Sequence, residues 1–154
     1  MYICVTYIDS ITGLPADVAP MTNGPSLPLV KGFEYEWSNK AQWPTEKPMF
    51  YGTCDPDADI NIPGVVEVLT KEKYDSLKQS QTKIQSVKIR NERDRLLIDY
   101  VDLINPIRWE MLDDEQKQAL RDYRQALLDV PSQEGFPWNV EWPENPTEPW
   151  KGKF

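Results

Sequence analysis

The chain has 154 residues, of which 17 are basic and 25 acidic, giving a formal net charge of −8, and 40% of its residues are apolar. This apolar content is enough for the core of one domain with a helical segment and a tail appended, and it excludes a wholly disordered chain. No apolar run approaches the ~18 residues of a membrane span, and Met1 is followed by no secretory signal. An acidic chain without a basic cluster is also a poor binder of nucleic-acid phosphates. We therefore expect neither a membrane nor a nucleic acid as partner.

Residues 1–70 are predicted to form a small β-rich domain. Four segments concentrate β-branched and aromatic residues, and these are 2–8, 33–37, 49–54 and 65–69. The segment 33–37 alternates apolar with acidic side chains, which is typical of a half-buried strand. A turn is expected at 9–13, and the prolines from Pro15 to Pro28 exclude a helix and a central strand there. We expect a small sheet with proline-blunted edges and, with the helices that follow, an α+β fold.

The sequence contains no recognisable catalytic or metal-binding constellation. The absence of histidine excludes Ser-His-Asp and Cys-His catalysis and removes a common zinc ligand. Cys4 and Cys54 are too few for a disulfide framework, and we expect both to be buried thiols. The aspartates of residues 55–59 have the spacing of a calcium loop, but Ile60 replaces the required glycine and Val66 the required glutamate. A solvated acidic turn is expected instead, and we predict no enzyme activity, no metal and no cofactor.

Residues 71–104 are predicted to form one long helix, with Thr70 as its N-cap. In a heptad numbering the a and d positions are Leu77, Ser80, Ile84, Val87, Asn91, Asp94, Ile98 and Val101. Two interpretations are open. The helix self-associates through this seam as a homo-oligomer, or it packs only at its two ends while Asn91 and Asp94 lie in an exposed middle.

A second helix is predicted after the first. Asn105-Pro106 ends the long helix, because the residue before a proline is displaced from α geometry. Asp113 or Asp114 caps the next helix, which runs to about Val130. The apolar stripe of this helix consists of Leu120, Tyr123, Leu127 and Val130, and we interpret it as core packing. Together, residues 71–130 are predicted to fold as an antiparallel helical hairpin, with Ile107 and Trp109 filling its turn.

Residues 131–154 are predicted to form an extended tail rich in proline and tryptophan. Five prolines favour polyproline II, and Trp138, Trp142 and Trp150 give the tail a large apolar surface. A segment of this kind cannot form its own core. It is expected to lie against the helices or to insert into a partner protein.

Several motifs of the second half occur in a recognisable order. These are Arg93-Asp94-Arg95-Leu96-Leu97, Tyr123-Arg124-Gln125-Ala126-Leu127-Leu128-Asp129-Val130-Pro131, Gly135-Phe136-Pro137 and Trp142-Pro143-Glu144-Asn145-Pro146. Over roughly residues 90–147 the chain resembles the phage tail assembly chaperone family, whose pattern is also found at the C-terminal ends of some tail fibre and tail fibre assembly proteins. Leu128 departs from the arginine usual in that pattern, and the stretch 101–112 lacks the Asp-Trp that often follows the first helix. The resemblance implies a role in tail or tail-fibre assembly.

The Tyr-Arg pair of the motif has two interpretations. In the first, Tyr123 and Arg124 clamp the Trp-Pro tail, with Arg124 bound to Asp129 or a tail carboxylate, or stacked on Trp142. In the second, the pair only completes a helical surface. The clamp is the interpretation that explains why the two parts of the motif occur together.

The expected function is that of a non-catalytic chaperone that shields a tail-fibre or tail subunit in the host cytoplasm until assembly. We expect the partner-binding residues to be Trp138, Trp142 and Trp150, with Tyr123 and Arg124 behind them, because these residue types are enriched at interface hot spots. The alternative is a structural component retained in the virion tail, as an adaptor in the baseplate or at a fibre attachment point. A strong oligomeric seam in the long helix would favour that alternative.

Overall fold

The structure, a computed structural model, describes residues 1–9, 25–41 and 45–150. The fold class is α+β, as predicted, with an antiparallel four-stranded sheet followed by helices. The chain divides into two compact units, Met1–Gln81 and Thr82–Phe154. The expected turn at residues 9–13 lies almost wholly outside the described residues, as do Pro15 and Pro20.

The four predicted strand segments of the first unit all contribute to one sheet. Its strands are β1 (Tyr2–Val5), β4 (Glu34–Ser38), β5 (Phe50–Thr53) and β6 (Val66–Leu69), in the order β4-β5-β1-β6. Two short strands, β2 (Ile8–Asp9) and β3 (Pro25–Ser26), form a separate pair. Pro25 thus lies in a two-stranded pair and not in a central strand, as its missing N–H donor requires.

A β-bulge in β4 turns its two large aromatic side chains to opposite faces of the sheet. Tyr35 pairs with Gly52, and Trp37 pairs with the adjacent Tyr51, so two steps along β4 match one step along β5. The uninterrupted alternation expected from the sequence would put Tyr35 and Trp37 on one face, and the extra residue overturns that expectation. The backbones approach so closely here that a Cβ on Gly52 would lie 2.0 Å from the carbonyl oxygen of Glu34. Glycine is therefore required at this position.

Helix α1 (Lys71–Leu97) begins at the predicted cap. The Thr70 hydroxyl accepts a hydrogen bond from the backbone N–H of Lys73 at 3.2 Å. The helix continues as a π-helical turn over Ile98–Asp102, close to the predicted end near Ile104. Its first turns belong to the first unit and the remainder to the second.

Aromatic rings bind the start of α1 to the sheet. Trp37 stacks on Tyr51 with ring centroids 3.8 Å apart, and Tyr74 of α1 contacts these two rings at centroid distances of 5.8 and 6.4 Å. The Tyr74 hydroxyl donates to Glu36 of the bulge, which also accepts from Lys78. These two hydrogen bonds, that from Lys78 first, lower the pKa of Glu36, and burial raises the pKa of Tyr74. The bulged part of β4 thus contributes two side chains to the contacts with α1, the ring of Trp37 and the carboxylate of Glu36.

The opposite face of the sheet carries the apolar core of the first unit. Its buried members are Ile3, Val5, Val30, Cys54 and Ala58. Both cysteines are buried free thiols, as predicted. Burial, reinforced by the Glu67 carboxylate, raises the pKa of Cys4 to about 11, so this thiol stays protonated and unreactive near neutral pH.

A lysine forms ion pairs with the acidic turn that follows β5. Lys31 Nζ lies 2.5 Å from a carboxylate oxygen of Asp57 and 3.7 Å from one of Asp55, while Asp59 accepts from the backbone N–H of Asn61. Within residues 1–9, 25–41 and 45–150, no group of three potential ligand side chains could hold a metal ion.

The second unit is helical and turn-rich. After α1 it contains α2 (Pro106–Glu110), α3 (Asp114–Asp129) and 3-10 turns at Val130–Ser132 and Glu148–Trp150. Leu97, Tyr123 and Leu127 form a buried cluster, against which Leu96, Tyr100 and Val101 pack. The end of α1 therefore contacts α3, whereas the antiparallel hairpin and the division into 1–70, 71–130 and 131–154 stay predictions.

Candidate functional site

Helix α3 presents one face to the core and the opposite face to solvent. Asp113 caps it by accepting from the N–H of Gln116, whose side chain accepts in return from the Asp113 N–H. The predicted apolar stripe is fully buried, and its members are Leu120, Tyr123, Leu127 and Val130. Tyr123 is only 5% exposed, and burial raises the pKa of its hydroxyl. Its place is in the core behind any surface that a partner would contact.

Arg124 lies on the exposed face and binds a different group from those expected. Its Nε donates to a carboxylate oxygen of Asp102 at 3.0 Å, in the π-helical turn that follows α1. The expected partners were Asp129 or a group on the tail, and the Asp129 carboxylate instead accepts from the Gln125 amide at 3.0 Å. Arg124 thus connects α3 to the end of α1. Because both side chains are about half exposed, the pair contributes little stability.

The segment after α3 is built from turns rather than being extended throughout as expected. The Gln133 amide donates to the backbone carbonyl of Glu141 at 2.7 Å and accepts from its N–H at 2.8 Å. Inside the loop closed in this way, the carbonyl of Gly135 accepts from the N–H groups of Trp138 and Asn139. A Cβ on Gly135 would lie 2.1 Å from the carbonyl oxygen of Asn139. The loop is therefore held in shape by its own hydrogen bonds.

One arginine of α1 does contact this loop. The Arg90 guanidinium lies over the ring of Phe136, 5.1 Å from its centroid. Such a cation–π contact at a partly exposed site contributes about 0.5–1 kcal/mol. The sequence reasoning expected an arginine–aromatic contact between helix and tail but assigned it to Arg124 and Trp142. The assignment required knowledge of which helix lies beside the loop, and no local signal carries that information.

The three predicted tail tryptophans differ in accessibility. Trp138 and Trp150 are half-buried, whereas Trp142 keeps 38% of its surface exposed. Trp142 immediately follows Glu141, the residue held by Gln133. It is therefore an accessible aromatic side chain next to an ordered stretch of backbone.

The short helix α2 divides its side chains between two environments. Asn105 caps it by accepting from the N–H of Ile107, with Pro106 at its first position. Trp109 is half-buried beneath Lys117 and Arg121, whose charged groups lie 6.0 and 5.5 Å from its ring centroid. Ile107, which was expected to fill the turn beside Trp109, is 73% exposed, so that expectation is wrong. A helix advances 100° per residue, so two residues that are two positions apart, such as Ile107 and Trp109, face nearly opposite ways.

Among the described residues of the second unit, the most exposed apolar side chains also lie around α2, where the sequence predicts only a connection between two helices. Leu103, Ile107 and Met111 are 75%, 73% and 66% exposed. Their regular spacing of four residues was an available signal.

Comparison with known proteins identifies the second unit. Residues 86–147 match the family described as phage tail assembly chaperone protein. This segment, less than half of the chain, is similar to the phage tail assembly chaperone family. The match confirms the resemblance seen over residues 90–147, and it spans α2, α3 and the Gln133 loop. No curated protein and no solved structure matches the chain.

The match supports a role in phage tail assembly and implies phage tail proteins as partners. The family suggests a non-catalytic protein. In the part of the chain that the structure describes, every helix is too short or too polar to cross a membrane.

Proposed function

We propose that the chain is a non-catalytic tail assembly chaperone that binds a tail-fibre or tail subunit through aromatic surface in the host cytoplasm. The contact residues are Trp138, Trp142 and Trp150, with Tyr123 and Arg124 as supports behind them. The observation that carries the proposal is the exposure of Trp142 within the segment that matches the chaperone family. In this proposal the chain covers apolar or strand-edge surface of the subunit until assembly.

The order of the Gln133 loop favours this role for Trp142. Binding costs conformational entropy for every segment that must be immobilised, and a backbone already held by hydrogen bonds avoids much of that cost. The two bonds between Gln133 and Glu141 hold the chain on the N-terminal side of Trp142. On the other side, Asn145 accepts from the N–H of Thr147 at 2.9 Å. An accessible tryptophan between two locally ordered turns is a suitable anchor for a partner.

The two supports, Tyr123 and Arg124, have a different part in the proposal. Tyr123 fixes α3 against the end of α1, and Arg124 adds the ion pair with Asp102. Neither needs to touch the partner. Replacement of Tyr123 is therefore expected to lower the stability of the second unit, and partner binding only as a consequence, whereas replacement of Arg124 is expected to change the stability little.

Co-expression with the tail-fibre and tail proteins of the same phage tests the proposal. Trp142→Ala is expected to raise the Kd for the partner by about 30-fold or more, the effect of a hot-spot tryptophan, and so to reduce the amount of partner that co-purifies. Tyr35→Ala is the matched control, because Tyr35 is an exposed aromatic residue, 54% accessible, in the first unit. If Trp142→Ala and the double variant with Trp138→Ala both retain wild-type binding and fibre maturation, the aromatic surface is not the binding site.

A second candidate function is that of a structural component retained in the virion tail. Ile84, Val87 and Ile98 occupy a and d positions of α1 and are 47%, 55% and 50% exposed. This exposure favours the homo-oligomeric seam that an adaptor in the baseplate or at a fibre attachment point would use. Mass spectrometry of purified particles separates the candidates. A fixed copy number in multiples of three or six supports the adaptor, and presence only in the infected-cell lysate supports the chaperone.

A further inference from the structure

Three strongly exposed apolar residues lie within or beside α2. We define the α2 ridge as Leu103, Ile107 and Met111, each at least 66% exposed. Ile107 and Met111 lie one turn apart, and the backbone N–H of Met111 donates to the carbonyl of Ile107 at 3.3 Å. Trp109, two residues from each, faces nearly the opposite way and lies under the cations of α3. The fold therefore uses the Trp109 side of α2 and leaves the ridge side to solvent.

Acidic side chains border the ridge at its C-terminal end. The eight residues 108–115 contain four carboxylates and one basic residue, Arg108. Asp113 has a structural task, since its side chain caps α3, and Asp114 and Glu115 suit the positive end of that helix dipole. Glu110 lies at the end of α2 and caps no helix, and with Arg108 included the stretch 108–115 keeps a net charge of −3. A net negative charge in this stretch favours a partner that brings positive charge.

We propose that the α2 ridge is the docking site for a basic amphipathic helix of the tail protein that the chaperone binds. An apolar strip with an acidic border is complementary to a helix that carries leucine-like anchors on one face and lysine or arginine beside them. A second copy of this chain fits less well, because a symmetric contact through the ridge would bring the same four carboxylates of each copy together. The inference rests on the proposed function, because it describes a second contact with the chaperone's partner.

The experiment uses the full chain and three synthetic peptides in fluorescence anisotropy. The first is a helical peptide with leucines on one face and lysines on the other. The second has glutamate in place of lysine, and the third has the composition of the first with its leucines scattered around the helix. We expect binding of the first peptide alone, with an affinity that falls as salt is added.

Variants assign the binding to the ridge. Ile107→Ser combined with Met111→Ser is expected to weaken binding of the first peptide at least tenfold, and Glu110→Lys to weaken it and reduce its salt dependence. Leu128→Ser, at an apolar side chain of α3 that is 36% exposed, is the matched control and should bind as the wild type does. Circular dichroism verifies that the helical content of each variant is unchanged.

Four outcomes would overturn the inference. Equal binding of the first peptide by the ridge variants and the wild type would mean that the cationic peptide binds elsewhere on the acidic chain. Equal binding of the first and third peptides would mean that charge alone is recognised. A dimer in sedimentation that Ile107→Ser dissociates would assign the ridge to a second copy. Loss of tail-protein binding in Trp142→Ala with no effect of the ridge variants would leave the proposed function standing and refute only the ridge.

Discussion

The adjacent leucines Leu127 and Leu128 offer a sharp test of the α3 packing. Leu127 is fully buried in the cluster with Leu97 and Tyr123, whereas Leu128 is 36% exposed. The substitutions Leu127→Ala and Leu128→Ala remove the same atoms from neighbouring positions of one helix. Helix propensity changes equally in both, so a difference between them reports the burial of the side chain alone.

The expected magnitudes differ severalfold. At a fully buried site Leu→Ala loses the transfer free energy and leaves a cavity, and together these lower the free energy of unfolding by about 2–5 kcal/mol. At the exposed position we expect a change within about 0.5–1 kcal/mol. For a chain of this size, a loss of 3 kcal/mol corresponds to a decrease in Tm of roughly 6–12 °C.

Urea unfolding followed by far-ultraviolet circular dichroism measures both variants. The comparison requires that the slope m stays at its wild-type value, so that a shifted midpoint reports stability. Leu127→Ala costing less than about 1 kcal/mol, or Leu128→Ala costing as much as Leu127→Ala, would refute the orientation of α3. Because Leu128 stands where the family pattern usually has arginine, Leu128→Arg should also be tolerated.

Three further predictions concern single contacts. Asp113→Ala removes the N-cap of α3 and should lower the free energy of unfolding by about 0.5–2 kcal/mol in the same urea assay, with Asp113→Asn recovering most of the loss. The hydrogen bonds from Lys78 and Tyr74 lower the pKa of Glu36 from 4.5, so their stabilisation is present above that value and is lost as the pH falls through the lowered pKa. Glu36→Gln should therefore flatten the fall of the urea midpoint between neutral and acidic pH, and an unchanged pH profile would contradict the assigned bonds. Gln85 is buried, and among the described residues its Nε2 has no hydrogen-bond partner, so Gln85→Met should leave Tm unchanged or raise it, and a clear decrease would show that the amide is satisfied.

Local sequence signals determined the elements and their ends. Thr70 and Asp113 cap helices through side chains that reach only three residues along the chain, and Pro106 suits a first helical position whatever the tertiary environment. The apolar stripe of α3 follows helical spacing, and all four of its residues are buried. These predictions succeeded because each depends on interactions within one or two turns of backbone.

The tertiary structure decided which surfaces these elements present. The bulge in β4 lies opposite Gly52, a residue distant in sequence, and it places Trp37 on the face that α1 covers. The partner of Phe136 is Arg90 and not an arginine of α3, because the choice depends on which helix lies beside the Gln133 loop. Ile107 is exposed because Trp109 occupies the side of α2 toward the cations of α3. A side chain's spacing along the chain assigns it to a face, but which face is covered depends on neighbours that the local sequence does not specify.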